Sequence, residues 1–360
     1  MRRSLRAVGN AAGLSDALWG SPFLKACRGE AAARPPVWLM RQAGRYMAHY
    51  RGFRASHGFI ELCRDPAAAA EVTLYARQWL GVDAAIIFSD ILLILQTLGL
   101  PLRYSTGDGP QFDRAVQSAA EVDALGDPDQ AAADLAPVYE ACRLTVAGLP
   151  ADIPLIGFCG APFTLAAYAI EGGGSKQYAR TRQFMYREPA AWHRLCGTLV
   201  AALAASLRRQ VAAGCSAVQI FDSWAGHLSA EDYAEFAVPH LRALAATVPE
   251  GIPVILFGHG TAHLVDQIAA CGADAVGFDQ YTPFRATWDR LGGPAQISVQ
   301  GNLDPCLLLA GTPRERLCAA VERLCAAGGF GPGHIVNLGH GIMKESDPEL
   351  ARHLVELVHG

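Results

Sequence analysis

A single-domain (β/α)8 barrel of the TIM type, an α/β fold with added elements in its loops, is what this 360-residue chain predicts. Eight short runs rich in Ile, Val, Leu and Phe begin near Val37, Ala84, Pro154, Ala217, Pro253, Ala275, Gln296 and His334. Stretches with helical spacing lie between them, and nearly every run ends in a polar residue. Strand then helix, repeated, requires parallel pairing with the helices outside, and eight such units close into a barrel.

The helical stretches are Asp65 to Leu80, Pro189 to Ala213, Ala230 to Thr247, Ala262 to Cys271 and Pro313 to Ala326. The segment from Leu92 to Leu149, with its Gly- and Asp-rich patch at Gly107 to Pro110, is too long for one crossover and predicts an added hairpin or helix. No linker, charge block or short repeat divides the chain, so the barrel is expected to fill residues 21–360 behind a poorly ordered extension, residues 1–20. An open doubly wound sheet is the runner-up; the unbroken series of units speaks against it.

The chain is 51% apolar with a net charge of -4, so a general nucleic-acid or anionic-membrane binder is not expected. Any anion site must be local. Ten cysteines, never spaced C-x-x-C, read as buried free thiols in a reducing compartment. The N-terminus lacks a continuous apolar core, and no apolar run approaches the roughly 20 residues that cross a bilayer. A cytoplasmic protein is expected.

The run PVWLMRQAGRYMAHYR, from Pro36 to Arg51, ends in Arg41, Arg45 and Arg51. Arginine stays charged and offers a planar fork suited to carboxylates, so this turn reads as a receptor for a polycarboxylate. A surface salt-bridge cluster is the bland reading, but such clusters ride on polar helix faces, not directly behind an apolar strand. The other runs deliver Ser89 and Asp90; Cys159 and Gly160; Asp222, Ser223 and Trp224; His259; Asp279; Gln300 and Asn302; and Asn337 and His340. Asp279 and Ser229 are acceptable as helix caps or turns. Asp90 alone would be a cap too; facing several arginines, it would stay ionised and hold a developing cation or orient N–H donors.

His259, His263 and Cys271 raise a metal site, but no further ligand or supporting polar residue is evident. Gly172, Gly173 and Gly174 with Ser175 and Lys176 lack P-loop spacing and read as a flexible turn over the site.

These residues resemble the uroporphyrinogen decarboxylase family. The matching segments are PVWLMRQAGRY around Arg41, IIFSDIL around Asp90, GAPFTLAAYAIEGGGSK around Tyr168, QIFDSWAGHLS around Ser223, VQGNLDP around Asn302 and NLGHGI around His340. The resemblance implies cofactor-independent, metal-free conversion of uroporphyrinogen III to coproporphyrinogen III by loss of four acetate carboxyl groups, and a homodimer. It implies that Asp90 and Arg41 are catalytic, Asp90 accepting from pyrrole N–H groups, and that one of Arg41 and Arg45 takes part in proton transfer. It implies substrate binding by Arg41, Gln42, Ala43, Gly44, Arg45, Asp90, Tyr168, Ser223 and His340. Ala48 and His49 depart from the family's usual proline and acid. Two other readings are a zinc-dependent corrinoid or coenzyme-M methyltransferase of the same superfamily, which would want a cysteine near His259, and a non-catalytic tetrapyrrole carrier.

Overall fold

A computed structural model describes residues 9–105, 109–327, 329 and 331–360. Its strands are β1 (Ala85–Ile86), β2 (Leu102–Ser105), β3 (Gly109–Phe112), β4 (Leu155–Gly160), β5 (Ala217–Asp222), β6 (Val254–Gly258), β7 (Ala275–Gly277), β8 (Ser298–Gln300) and β9 (His334–Ile335). Seven of them form one sheet in the order β1-β4-β5-β6-β7-β8-β9, every pair parallel. Ile156 pairs with Ala217, Val218 with Val254, Ile255 with Ala275, and Val299 with His334. Consecutive parallel strands need crossovers, which the intervening helices supply.

The eighth stave is reduced to a bridge. Val37 pairs in parallel with Val336. On its other side the Asp83 N–H donates to the Val37 carbonyl at 2.8 Å. Pro35 and Pro36 bring no N–H to a ladder, which leaves little strand to form here. A side chain completes the seam: Asp83 Oδ2 accepts from the Val37 N–H at 2.8 Å, and Oδ1 accepts from Arg34 Nη2 at 2.7 Å. The barrel is therefore closed, with its first strand clasped to the second by a buried carboxylate.

The long segment after β1 contains the expected hairpin, β2 with β3, then the helices Ala119–Asp123, Pro128–Ala133 and Ala136–Gly148. Gly107 and Asp108 of the patch noted in the sequence lie outside the described residues. The expected helix from Asp65 runs Pro66–Leu80, with Asp65 as N-cap accepting from the Ala68 N–H. The stretch Ala230 to Thr247 is two helices, Ala230–Phe236 and Val238–Ala246, because Pro239 sits in the first turn of the second.

Three sequence expectations need correction. Residues 1–8 of the supposed extension lie outside the described residues, but Asp16–Trp19 is helical, and the Arg28 guanidinium lies 3.7 Å over the Trp19 ring. Seven cysteines are buried and free as expected, whereas Cys306 and Cys325 are exposed and Cys318 half-buried, on the outer helix Arg314–Ala326 and the turn before it. Finally, the helix Pro189–Ala212 is long and apolar enough to cross a membrane, but Trp192, Leu195, Leu199, Leu203 and Leu207 are buried inside the fold. Its apolarity belongs to a core helix.

Candidate active site

The arginine turn is built to be rigid. Asn337 Oδ1 accepts from the Met40 N–H at 3.1 Å, and the Ile342 N–H donates to the Met40 carbonyl at 2.9 Å, so the loop after β9 grips the residue before Arg41. Tyr46 Oη donates to the Gln42 carbonyl at 2.7 Å. Arg51 Nη1 donates to the carbonyls of Arg45, at 3.0 Å, and Tyr46, at 2.7 Å. Arg51 is therefore a strut of the turn, not a ligand arm. These bonds hold Arg41 at φ 62°, a left-handed conformation that costs a non-glycine residue energy and needs such support.

The stem of Arg41 lies on Gly341. A Cβ on Gly341 would overlap Arg41 Cδ and lie 2.7 Å from its Cγ and 2.9 Å from its Nε. Arg41 and Arg45 are both exposed to the mouth, and neither has an ion-pair partner among the described residues. Burial among the walls lowers the Arg41 pKa, Arg45 lowers it further, and Tyr168 and Asp90 oppose the shift. With solvent still reaching it, the guanidinium remains charged.

Asp90, half-buried beyond β1, accepts two hydrogen bonds. Oδ1 takes the Leu92 N–H at 2.7 Å, the cap-like bond expected of an aspartate there. Oδ2 takes the Tyr104 hydroxyl at 2.8 Å. Burial raises the Asp90 pKa, while the Leu92 and Tyr104 bonds and the charge of Arg41 favour the carboxylate. A water-sized cavity of about 30 Å³, lined in part by Asp90, Ser89, Cys159 and Ser206, lies against it. Tyr168, on the helix Pro162–Glu171, is pushed up to about 12 by burial and then by Asp90, so its hydroxyl remains a donor. His340 is lowered to about 4 by burial, then by Arg41 and His259, and is neutral near pH 7. Its ring stands 4.9 Å from that of His259 at 74°.

Arg41, Arg45, Asp90, Tyr168 and His340 thus belong to one mouth. Ser223 follows β5 on its flank, next to Trp224, whose ring is 5.8 Å from Tyr168. Ala43 and Gly44 contribute the backbone of the turn. The Gln42 side chain does not join them: it is buried and directed at Ala84 and Leu39, each at 3.5 Å.

Other strand-end polar residues are architectural. Gln300 accepts from Trp38 Nε1 at 2.9 Å and donates to Gln219 at 3.0 Å inside the barrel. Asn302 donates to the carbonyls of Asp279 and Thr282, at 2.7 and 2.8 Å. Asp222 accepts from Thr164 at 2.8 Å and Tyr233 at 3.0 Å. Asp279 and Ser229 make turn and cap bonds, as expected.

His259, His263 and Cys271 do not converge. His263 Nε2 lies 2.9 Å from the Leu228 carbonyl, and Cys271 donates to the Gln267 carbonyl at 3.2 Å. Among the described residues no cluster of three metal-ligating side chains forms. The glycine turn is not loose either. The Phe112 N–H donates to the Gly172 carbonyl at 2.9 Å and Gly173 bridges Gln111, so the added hairpin is pinned there.

Sequence reasoning missed Tyr104. It lies on an inserted hairpin, outside the strand ends where barrel chemistry is sought, and one tyrosine in LRYS carries no distinguishing signal.

Residues 20–360 match the family model described as uroporphyrinogen decarboxylase (URO-D). The uroporphyrinogen decarboxylase of Carboxydothermus hydrogenoformans is 44% identical over 94% of this chain and 95% of its own length. That of Salinispora tropica is 46% identical over 94% of this chain and 90% of its own. Among solved structures, a methyltransferase from Methanosarcina mazei superposes with a TM-score of 0.78 at 17% identity, covering 94% of this chain and 97% of that one, which speaks to the shared barrel alone. A match across nearly the whole chain, at this identity and with the arginine turn and Asp90 at one mouth, makes the chain a member of the uroporphyrinogen decarboxylase family.

Proposed function

We propose that the mouth binds uroporphyrinogen III and removes the carboxyl groups of its four acetate side chains, giving coproporphyrinogen III and carbon dioxide. The observation that carries this reading is a half-buried carboxylate, Asp90, facing a turn whose two arginines, Arg41 and Arg45, form no ion pair among the described residues. A polycarboxylate with a ring of N–H donors fits both: its acids meet Arg41 and Arg45, and its pyrrole N–H groups meet the remaining lone pairs of Asp90.

The pyrrole serves as the electron sink. Protonation of the ring carbon beside an acetate produces a cationic ring, and cleavage of the bond to the carboxylate returns its electron pair to that ring as carbon dioxide leaves. A second proton completes the methyl group and the first departs, so each cycle consumes one proton. Asp90, as a fixed anion in a site with restricted water, stabilises the cation more than the neutral ground state. Tyr168 and neutral His340 act as hydrogen-bond donors to carboxylates or the pyrrole edge, and Ser223 adds a hydroxyl. Arg41 holds the reacting acetate and takes part in proton transfer. We further propose a homodimer, which sedimentation of the purified protein tests.

The deciding experiment incubates chelator-treated protein anaerobically, in the dark, with chemically reduced uroporphyrinogen III, then oxidises the products and counts carboxyl groups by chromatography. Successive seven-, six- and five-carboxyl intermediates ending in coproporphyrin support the reading. Binding without conversion would assign a carrier instead.

A further inference from the structure

We infer that Tyr104, on the inserted hairpin, is a positioning residue that fixes the second oxygen of Asp90 and keeps this carboxylate ionised for the reaction. This rests on the role given to Asp90 above.

The geometry is direct: the Tyr104 hydroxyl donates to Asp90 Oδ2 at 2.8 Å, while the Leu92 N–H holds Oδ1 at 2.7 Å. Each oxygen has two lone-pair positions, so one protein donor on each leaves one on each for a ligand. With the carboxylate rotation fixed by two donors, those positions point in set directions.

The hairpin is built to hold its tyrosine. Leu102 pairs with Phe112 and Tyr104 with Pro110 across β2 and β3. The Phe59 ring meets the Tyr104 ring edge-on, with centroids 4.6 Å apart. The Phe112 N–H donates to the Gly172 carbonyl at 2.9 Å and the Val116 N–H to the Ala169 carbonyl at 2.8 Å, both on the helix or cap that follows Tyr168. One rigid unit thus carries the partner of Asp90 and the binding tyrosine.

Four ionisable groups face Asp90: Arg41 from the arginine turn, Tyr104 from β2, Tyr168 from the helix Pro162–Glu171, and Cys63 from the helix Phe59–Arg64. Burial drives the phenol of Tyr104 and the thiol of Cys63 upward, so both stay protonated. Of the four, Arg41 is the charged neighbour and Tyr104 donates the side-chain hydrogen bond. Burial alone favours the protonated acid. A protonated Asp90 would aim a donor at pyrrole N–H groups and lose its attraction for the cation. Tyr104 opposes that outcome because its bond favours the anion.

Tyr104→Phe deletes the donor and keeps the ring against Phe59. Its acid limb of kcat/KM is expected about one pH unit above that of the wild type, the shift that loss of one charge-assisted hydrogen bond produces. Activity lost at the acid end is recovered as pH rises. A stronger donor, 3,5-difluorotyrosine at position 104, should move the limb the other way. A purely structural tyrosine would lower the melting temperature or reduce activity at every pH alike, without moving the limb. Carbon-13 NMR of aspartate-labelled protein, with the Asp90 signal assigned from Asp90→Asn, reads the same titration without turnover. If the decarboxylase reading fails, the NMR titration still tests the contact. An unmoved carboxyl titration in both folded variants overturns the inference.

Discussion

Asp90 and Asp222 each stand just at or beyond the end of a barrel strand and each accept two hydrogen bonds, yet their surroundings differ. Asp222 is enclosed, with Thr164 and Tyr233 on its two oxygens, and is only 3% exposed. Asp90 has the same number of partners but retains access to the mouth and faces Arg41. A polar residue whose bonds end within the fold specifies that fold; one with lone pairs left over, facing cations that form no ion pair among the described residues, specifies a ligand. The sharpest way to break this contrast is Asp90→Asn. The isosteric amide keeps the volume, so folding should survive, while loss of the anion should cost on the order of 2.7 to 4 kcal/mol of transition-state stabilisation, roughly a hundred- to thousandfold in turnover. Anaerobic turnover and a melting curve check it, and near-normal turnover would remove Asp90 from the chemistry.

Asp222 should show the opposite balance, an effect on stability with turnover per folded molecule near that of the wild type. Burial pushes its carboxyl up to about 6, against the opposing bonds from Thr164 and Tyr233. Its unfolded value is about 3.9. A raised folded pKa means that the native state holds the proton longer, so this contribution is complete below about pH 4 and is lost as pH rises through about 6. A shift of about two units corresponds to on the order of 3 kcal/mol at the outside. Buried His334 and half-buried His340, both lowered to about 4, work in the other direction: as pH falls below about 6.5 the unfolded chain takes up protons that the folded histidines refuse, and stability falls. Measuring wild type and Asp222→Asn by urea unfolding at pH 4 and pH 7 cancels the histidines. The wild type should lose on the order of 2 kcal/mol relative to the variant between those pH values. A pH-independent difference would mean that Asp222 does not titrate as its burial implies.

The same distinction explains what could be read from the sequence. The eight apolar runs located the staves because hydrophobic periodicity is a local signal, and even the reduced stave at Val37 was visible as an apolar run. Polar strand ends were visible too, but sequence does not reveal which side of a stave a residue faces or what lies across the barrel. Gln42, Gln300 and Asn302 therefore looked equivalent to Asp90 until their partners, some of them 262 residues away as for Trp38 and Gln300, were known. Arg51 resembled a third anion-binding arm for the same reason. Tyr104 was hidden for the converse one: its partner Asp90 is only 14 residues away, but Tyr104 itself stands on the added hairpin, outside the strand ends where barrel chemistry is sought. The arginine turn was legible because charge placed directly behind an apolar strand is costly without a function.

The finest test concerns how the mouth is held, and it compares two glycines. Gly52, within the helix Ala48–Ser56, has open space where a Cβ would go, whereas a Cβ on Gly341 would overlap the stem of Arg41. Gly341→Ala should leave the barrel folded, because the crowded atoms belong to a side chain that opens onto solvent and can swing away. Swinging away moves the guanidinium from its place over the loop after β9. The loss should fall mainly on KM for the porphyrinogen, with kcat/KM down roughly tenfold, about 1.4 kcal/mol. Gly52→Ala should leave KM unchanged and raise stability by about 0.5 to 1 kcal/mol, the usual gain for replacing glycine inside a helix. Equal KM values for the two variants would show that Arg41 grips its ligand from more than one stem conformation, and that the close approach of Gly341 serves packing alone.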